Sequence, residues 1–306
     1  VRLFGSGAYS DGRALGWGQR VVGSDVLTFV LPSAVVDSRF MTPATGKCRR
    51  RPRVQQWLLK RAMEVTFYRQ SVRYFSCGPH RRTSLCYFDV ARHPGVRGHV
   101  ALTIDDAPCR PEGDSRLAEV RATLDHHGAA ATFMVVGAYV KGHEDVMVDL
   151  IRGGRHELGN HGMEDRPYHH DSPEDFGADV DACSELIRSL QHRANANDHE
   201  VVRWFRAPHG KYTQSMEAVL HSRGLQNCMC DTYASCPIVE DGEYIGRMLA
   251  RNARDGSIVL LHMPERGFRD WCMIALKRFL QHLDKRGLRA VTVSELEQLA
   301  GRDFVN

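Results

Sequence analysis

Val100-Ala101-Leu102-Thr103-Ile104-Asp105-Asp106-Ala107-Pro108 is the stretch on which the reading of this chain turns. A short apolar run bounded by turn-forming residues reads as a buried strand. It runs straight into two adjacent carboxylates. Neighbouring residues on a strand project to opposite sides, so Asp105 and Asp106 can take different roles, one holding a metal and one acting as a base. Alone, an Asp-Asp pair after a strand is a weak signal, because turn capping explains it as well.

Working outward, the same pattern recurs to the C-terminus. Strands are expected near 99–105, 131–137, 156–160, 202–206, 226–230, 257–262 and 288–293, with helices between them. The segment 114–127 reads as a helix ending at Gly128, a C′ glycine. Ser172-Pro173-Glu174-Asp175 opens a helix to about residue 190, with Ser172 as N-cap and Pro173 in the first turn. A further helix over 271–286 ends at Gly287. Seven strands alternating with helices predict an α/β fold with a parallel sheet and right-handed crossovers. The expected architecture is a distorted (β/α)7-type barrel with a basic N-terminal extension. Closure of such a barrel puts the active site at the C-terminal ends of the strands.

Those ends carry the reactive residues. The third strand runs out through Glu157-Leu158-Gly159-Asn160-His161, followed by Gly162-Met163-Glu164-Asp165. One helical turn would put His161 and Asp165 on the same face, and imidazole with carboxylates is a normal divalent-metal set. A solvated loop histidine is the plain alternative. The fourth strand ends Trp204-Phe205-Arg206-Ala207-Pro208-His209-Gly210, where an Arg can pair with a carboxylate and hold it ionised. The sixth ends Leu260-Leu261-His262, and a His there is placed to act as a general acid unless it is a core residue.

The 306 residues are 42% hydrophobic and 25% charged, which describes a globular chain and not a disordered one. No run approaches the roughly 18–20 apolar residues of a membrane span. No leader peptide, basic and then apolar, is visible at the N-terminus. The nine cysteines show no paired C-x-x-C with zinc spacing, so buried free thiols are expected. Charge is uneven. Residues 1–97 hold 17 Lys/Arg against 5 Asp/Glu, a net of +12, while the remainder holds 24 against 32, a net of −8. A boundary is therefore placed at 97/98. The basic cluster Lys47-Cys48-Arg49-Arg50-Arg51-Pro52-Arg53 and the amphipathic stretch 54–67 carry no recognised nucleic-acid motif. A solvated basic helix, or one packing on an acidic domain, is the expectation. The strand–helix alternation is complete without the extension, so removal of residues 1–90 is expected to leave a folded, metal-binding domain.

The succession of motifs resembles the NodB-homology polysaccharide deacetylases, carbohydrate esterase family 4. Thr103-Ile104-Asp105-Asp106-Ala107-Pro108 is similar to that family's T-F-D-D-G-P, and Ala131-Thr132-Phe133-Met134-Val135-Val136-Gly137 to its A-T-F-F-V-x-G strand. Gly159 to Asp165 resembles G-N-H-[ST]-x-x-H with Asp for the last His. Phe205 to Gly210 resembles F-R-x-P-[YW]-G with His209 at the aromatic position, and Leu260-Leu261-His262 matches L-x-H. The resemblance covers about two thirds of the chain. It departs at the fourth motif, where the family has an Asp supporting the catalytic His. Either Asp231 or Cys236 stands there, and Cys236 is preferred.

The resemblance implies removal of N- or O-linked acetyl groups from a polysaccharide such as chitin, peptidoglycan or xylan. It implies one divalent metal ion, zinc first and cobalt, nickel or manganese otherwise, on Asp106, His161 and Asp165. His169 and His170 are the reserve for a missing imidazole. Asp105 would be the base, Arg206 its orienting partner, the backbone N–H of His209 an oxyanion donor and His262 the acid. A carbohydrate polymer is the expected partner, with no nucleic acid, no membrane span and a monomeric chain. An extracellular or cell-wall location follows from the family alone. The alternatives are hydrolysis of a C–N amide bond in a small non-sugar molecule, and a non-catalytic carbohydrate-binding domain.

Overall fold

Strand β1 (His99–Ala107) is buried along eight of its nine residues, the two carboxylates included. Its apolar run explains the position, because it is the central strand of the sheet in this computed structural model, which describes residues 53–65, 67–77, 83–195 and 201–301. On one side β1 pairs with β7 (Ile258–His262), in register from Ala101 with Ile258 to Asp105 with His262. On the other side its first residues pair with β9 (Arg289–Val291) and its later ones with β3 (Thr132–Val135). The sheet continues through β4 (Glu157–Asn160) and β5 (Trp204–Phe205) to β6 (Gln226–Asn227). Every one of these pairings is parallel. Past β6 the chain reaches β7 from behind: the amides of Asp231 and Thr232 donate to the Ile258 carbonyl, and Leu260 donates to that of Thr232. The parallel sheet therefore curls toward a barrel, as expected; six of its strands fall within the expected segments, and β1 runs two residues past the expected 99–105.

The helices obey local rules. In α5 (Pro173–Arg193) the Ser172 hydroxyl accepts from the Asp175 amide, and Pro173 occupies the first turn, where its missing N–H costs nothing. Helix α3 (Leu117–His126) is followed by Gly128 at φ 58, and α8 (Asp270–Lys285) by Gly287 at φ 64. The helix expected from residue 114 begins three residues later. Asp114–Ser115 instead form β2, which pairs antiparallel with β8 (Glu265–Arg266). Arg266 draws Asp114 into that ribbon at 3.4 Å and also holds Glu119.

The basic cluster at 47–52 and everything before it lie outside the described residues. Most of the amphipathic stretch 54–67 is helical, as α1 (Arg53–Met63), and a second helix, α2 (Tyr68–Cys77), follows it. These helices make specific contacts across the 97/98 boundary. Lys60 pairs with Asp241 at 2.6 Å, and the Tyr244 hydroxyl donates to the Lys60 carbonyl. Arg69 and Arg73 reach Asp231 at 2.6 and 3.3 Å, and the Asp231 side chain is fully buried. Burial pushes the Asp231 carboxyl up, and the two arginines pull the other way. Six cysteines, including Cys228, Cys230 and Cys236, are free and buried as expected, whereas Cys86 is disulfide-bonded.

His156 makes stability depend on pH. It is 1% exposed, packs edge-on to Phe133, and has no hydrogen-bond partner for either ring nitrogen among the described residues. Burial lowers its pKa from 6.5 to about 4. In the unfolded chain it takes a proton below about 6.5, and in the folded chain it stays neutral, so stability falls as the pH drops through this window. Chemical denaturation at pH 7.5 and 4.5 should show a loss of about 2–3 kcal/mol from this residue. His156→Leu should flatten that part of the profile. An unchanged pH slope in the variant would assign the acid sensitivity elsewhere.

Candidate active site

At the end of β1, Asp106 adopts a left-handed φ of 64°. Asp is one of the few side chains that tolerates this region. Asp105 and Asp106 accordingly face different partners. Asp105 Oδ1 accepts from Arg206 Nη1 at 2.6 Å. Arg206 is 1% exposed and also donates to Thr103 Oγ1 and to the carbonyls of Cys228 and Met229. Its planar fork is thus held between β1 and the segment leaving β6, which fixes the Asp105 carboxylate.

His161 leaves β4 with Nδ1 2.7 Å from the Arg206 carbonyl. A carbonyl only accepts, so Nδ1 is the donor and Nε2 is the nitrogen turned to the carboxylates. That nitrogen faces Asp106 Oδ1 at 3.6 Å and Asp105 Oδ2 at 4.0 Å. The other Asp106 oxygen, Oδ2, is 2.5 Å from Nη1 of Arg269. Burial acts to raise the Asp106 pKa, but the Arg269 guanidinium above all holds it well below the usual carboxylate range.

Asp165 is placed differently from the expectation. Residues 161–171 form no helical turn, so the four-residue spacing does not put His161 and Asp165 on one helical face. Asp165 Oδ1 faces His209 Nε2 at 3.3 Å, and this carboxylate raises the His209 pKa above its ordinary value. His209 itself has a left-handed φ of 57°. The reserve pair, His169 and His170, stack on each other with ring centres 3.8 Å apart, and among the described residues neither pairs with Asp106.

Across the site His262 Nδ1 lies 3.1 Å from Cys236 Sγ. Burial alone would lower the His262 pKa; contact with Cys236 outweighs it and the net direction is up. Burial pushes the Cys236 thiol well up, so it is neutral. Trp271 Nε1 donates to the Cys236 carbonyl and fixes the loop. Of the two fourth-motif alternatives, then, Cys236 is the one beside His262, while Asp231 is committed to Arg69 and Arg73.

Two protein groups have the chemistry a divalent ion needs. Asp106 offers an ionised carboxylate, and His161 an Nε2 whose ring is oriented from behind through Nδ1, as metal-ligating imidazoles are. Among the described residues no set of three His, Cys, Asp or Glu side chains converges, since Asp165 is turned to His209. Arg269 was not anticipated. It lies seven residues beyond His262 in a loop, and nothing in its residue type marks it.

Residues 93–228 match the family model described as "Polysaccharide deacetylase". The chain is 28% identical over 223 residues to a chitooligosaccharide deacetylase of a Bradyrhizobium species, covering 69% of this chain and 94% of that protein. Among solved structures, a family 4 acetyl xylan esterase from Clostridium thermocellum, in complex with a cobalt ion, is 27% identical with a TM-score of 0.55. The match covers 67% of this chain and 93% of that one. A CE4 family pseudoenzyme from Bacillus anthracis shares the fold at 20% identity and a TM-score of 0.53, over 65% of this chain and 65% of that one.

Proposed function

Since the chain carries a polysaccharide deacetylase domain, we propose that it hydrolyses acetyl groups from a carbohydrate polymer. The observation that carries this reading is the division of labour at the end of β1. Asp105 is fixed by Arg206, Asp106 is shared between His161 and Arg269, and His262 stands beside Asp105 in the strand register. Base and acid must hold opposite protonation states at one pH, and a carboxylate facing an imidazole across the strand register offers that pair.

A divalent ion held by Asp106 and His161, with Asp165 joining them only on leaving His209, would polarise the acetyl carbonyl and lower the pKa of the attacking water. Asp105 takes the proton of that water, held in orientation by Arg206. The backbone N–H of His209 donates to the developing oxyanion. His262 delivers a proton to the leaving amine or alcohol. The neutral thiol of Cys236 positions this imidazole without adding a full negative charge.

The test is acetate release from chitooligosaccharides, peptidoglycan and acetylated xylan, with and without a chelator. Release from one of them that stops on chelation supports the reading. A specific observation also favours a non-catalytic carbohydrate-binding role: Arg269 already neutralises Asp106. Sugar binding without acetate release from any of the three would select that role.

A further inference from the structure

We propose that Arg269 is the resident cation of this site, and that a divalent ion can occupy the Asp106–His161 position only by displacing its guanidinium. The inference rests on the reading of Asp106 and His161 as the ion-holding pair.

The first argument is charge. The two buried carboxylates of β1 each have a guanidinium, Arg206 on Asp105 and Arg269 on Asp106, at 2.6 and 2.5 Å. Both arginine side chains are 5% exposed or less. The two carboxylates and the two guanidinia therefore balance as they stand, with Asp165 turned away to His209. A dication added to that arrangement brings two uncompensated charges into a buried space, which is strongly unfavourable. An arginine cannot release its proton to make room, so its side chain has to move.

The second argument is placement. Arg269 is held in position by the loop that carries it. The loop is stitched down by the β2–β8 ribbon and by buried Glu265, which binds Arg110 at 2.9 Å and also accepts from the Arg110 amide. Asp270 accepts from Arg116 and from the Gly267 amide. Arg269 then adopts a left-handed φ of 57° at the start of α8, and its guanidinium packs on the ring of Phe268. A non-glycine residue persists in that region when its surroundings over-determine it. The third argument is coordination. Asp106 has two oxygens: Oδ1 faces His161 and Oδ2 is taken by Arg269. A bound ion would have to compete for this carboxylate.

The experiment is equilibrium binding of Zn2+ and Co2+ to the full chain by calorimetry, with thermal melts in parallel. Arg269→Met should bind either ion at least tenfold more tightly than the parent, and adding Asp106→Asn should abolish the gain. Without metal, Arg269→Met should melt below the parent, and Co2+ should raise its melting temperature more than the parent's. Arg269→Gln retains a hydrogen bond to Asp106 without the charge and should change affinity in the same direction, so it serves if the Met variant does not fold. Equal affinity in the parent and in the neutral variants would overturn the proposal, as would a gain that survives Asp106→Asn. The readout is metal binding, so a tenfold gain without acetate release upholds the competition and removes only the hydrolytic reading.

Discussion

Replacing Asp105 by Asn is expected to lower turnover on the responsive polymer by about two to four orders of magnitude, the usual contribution of a positioned general base. The fold should survive, because the amide oxygen of Asn can still accept from Arg206 Nη1. Arg206 also keeps its bonds to Thr103, Cys228 and Met229. Metal affinity should change much less than turnover, since Asp105 Oδ2 lies further from His161 than Asp106 Oδ1 does. Acetate release at saturating substrate, set beside a melting curve, separates these effects. Turnover near the parent value would mean that another group activates the water.

The double substitution Arg69→Ala with Arg73→Ala should destabilise the folded chain by about 3–5 kcal/mol, the cost of leaving a buried charge without its partner. The Asp231 side chain has no exposure, and among the described residues its partners besides the two arginines are the hydroxyls of Thr232 and Ser257. Adding Asp231→Asn should recover part of the loss, because a neutral amide costs less to bury unpaired than a carboxylate. Urea midpoints measure both steps. A double variant as stable as the parent would show that α2 contributes little to the barrel. The same pair bears on how the N-terminal extension is divided from the rest: the cut that charge composition favours at 97/98 separates Asp231 from its counter-ions.

The barrel was legible because its signals are local. β1, β3 and β7 are built on short apolar runs, and the Ser-Pro and glycine punctuation of α5, α3 and α8 follows from hydrogen-bond needs at helix ends. Asp105, Arg206, His161 and His262 were legible as a set because strand ends converge in such a fold. What was missed depends on contacts distant in sequence. No spacing rule joins Arg269 to Asp106 across 163 residues. The same holds for Asp231, which reads as a site candidate until α2 is seen beside it. Asp165 was misplaced because the four-residue spacing assumes a helix, and Gly162 at φ 81 opens a turn of another kind.

The pairing of β1 has a consequence for how the chain is made. Its first three residues lie against β9, which ends at Val291, and residues 101–105 pair with β7 up to His262. The earliest strand of the sheet to leave the ribosome therefore waits for the latest. Until residues 258–291 emerge, this apolar strand lacks its whole β7 edge and, at its start, its β9 neighbour, with only its later residues covered by β3. Contacts this far apart in sequence slow folding, and exposed edges invite association with other chains. Truncated or stalled products should be the aggregation-prone species, while the full-length chain closes over its own most dangerous segment.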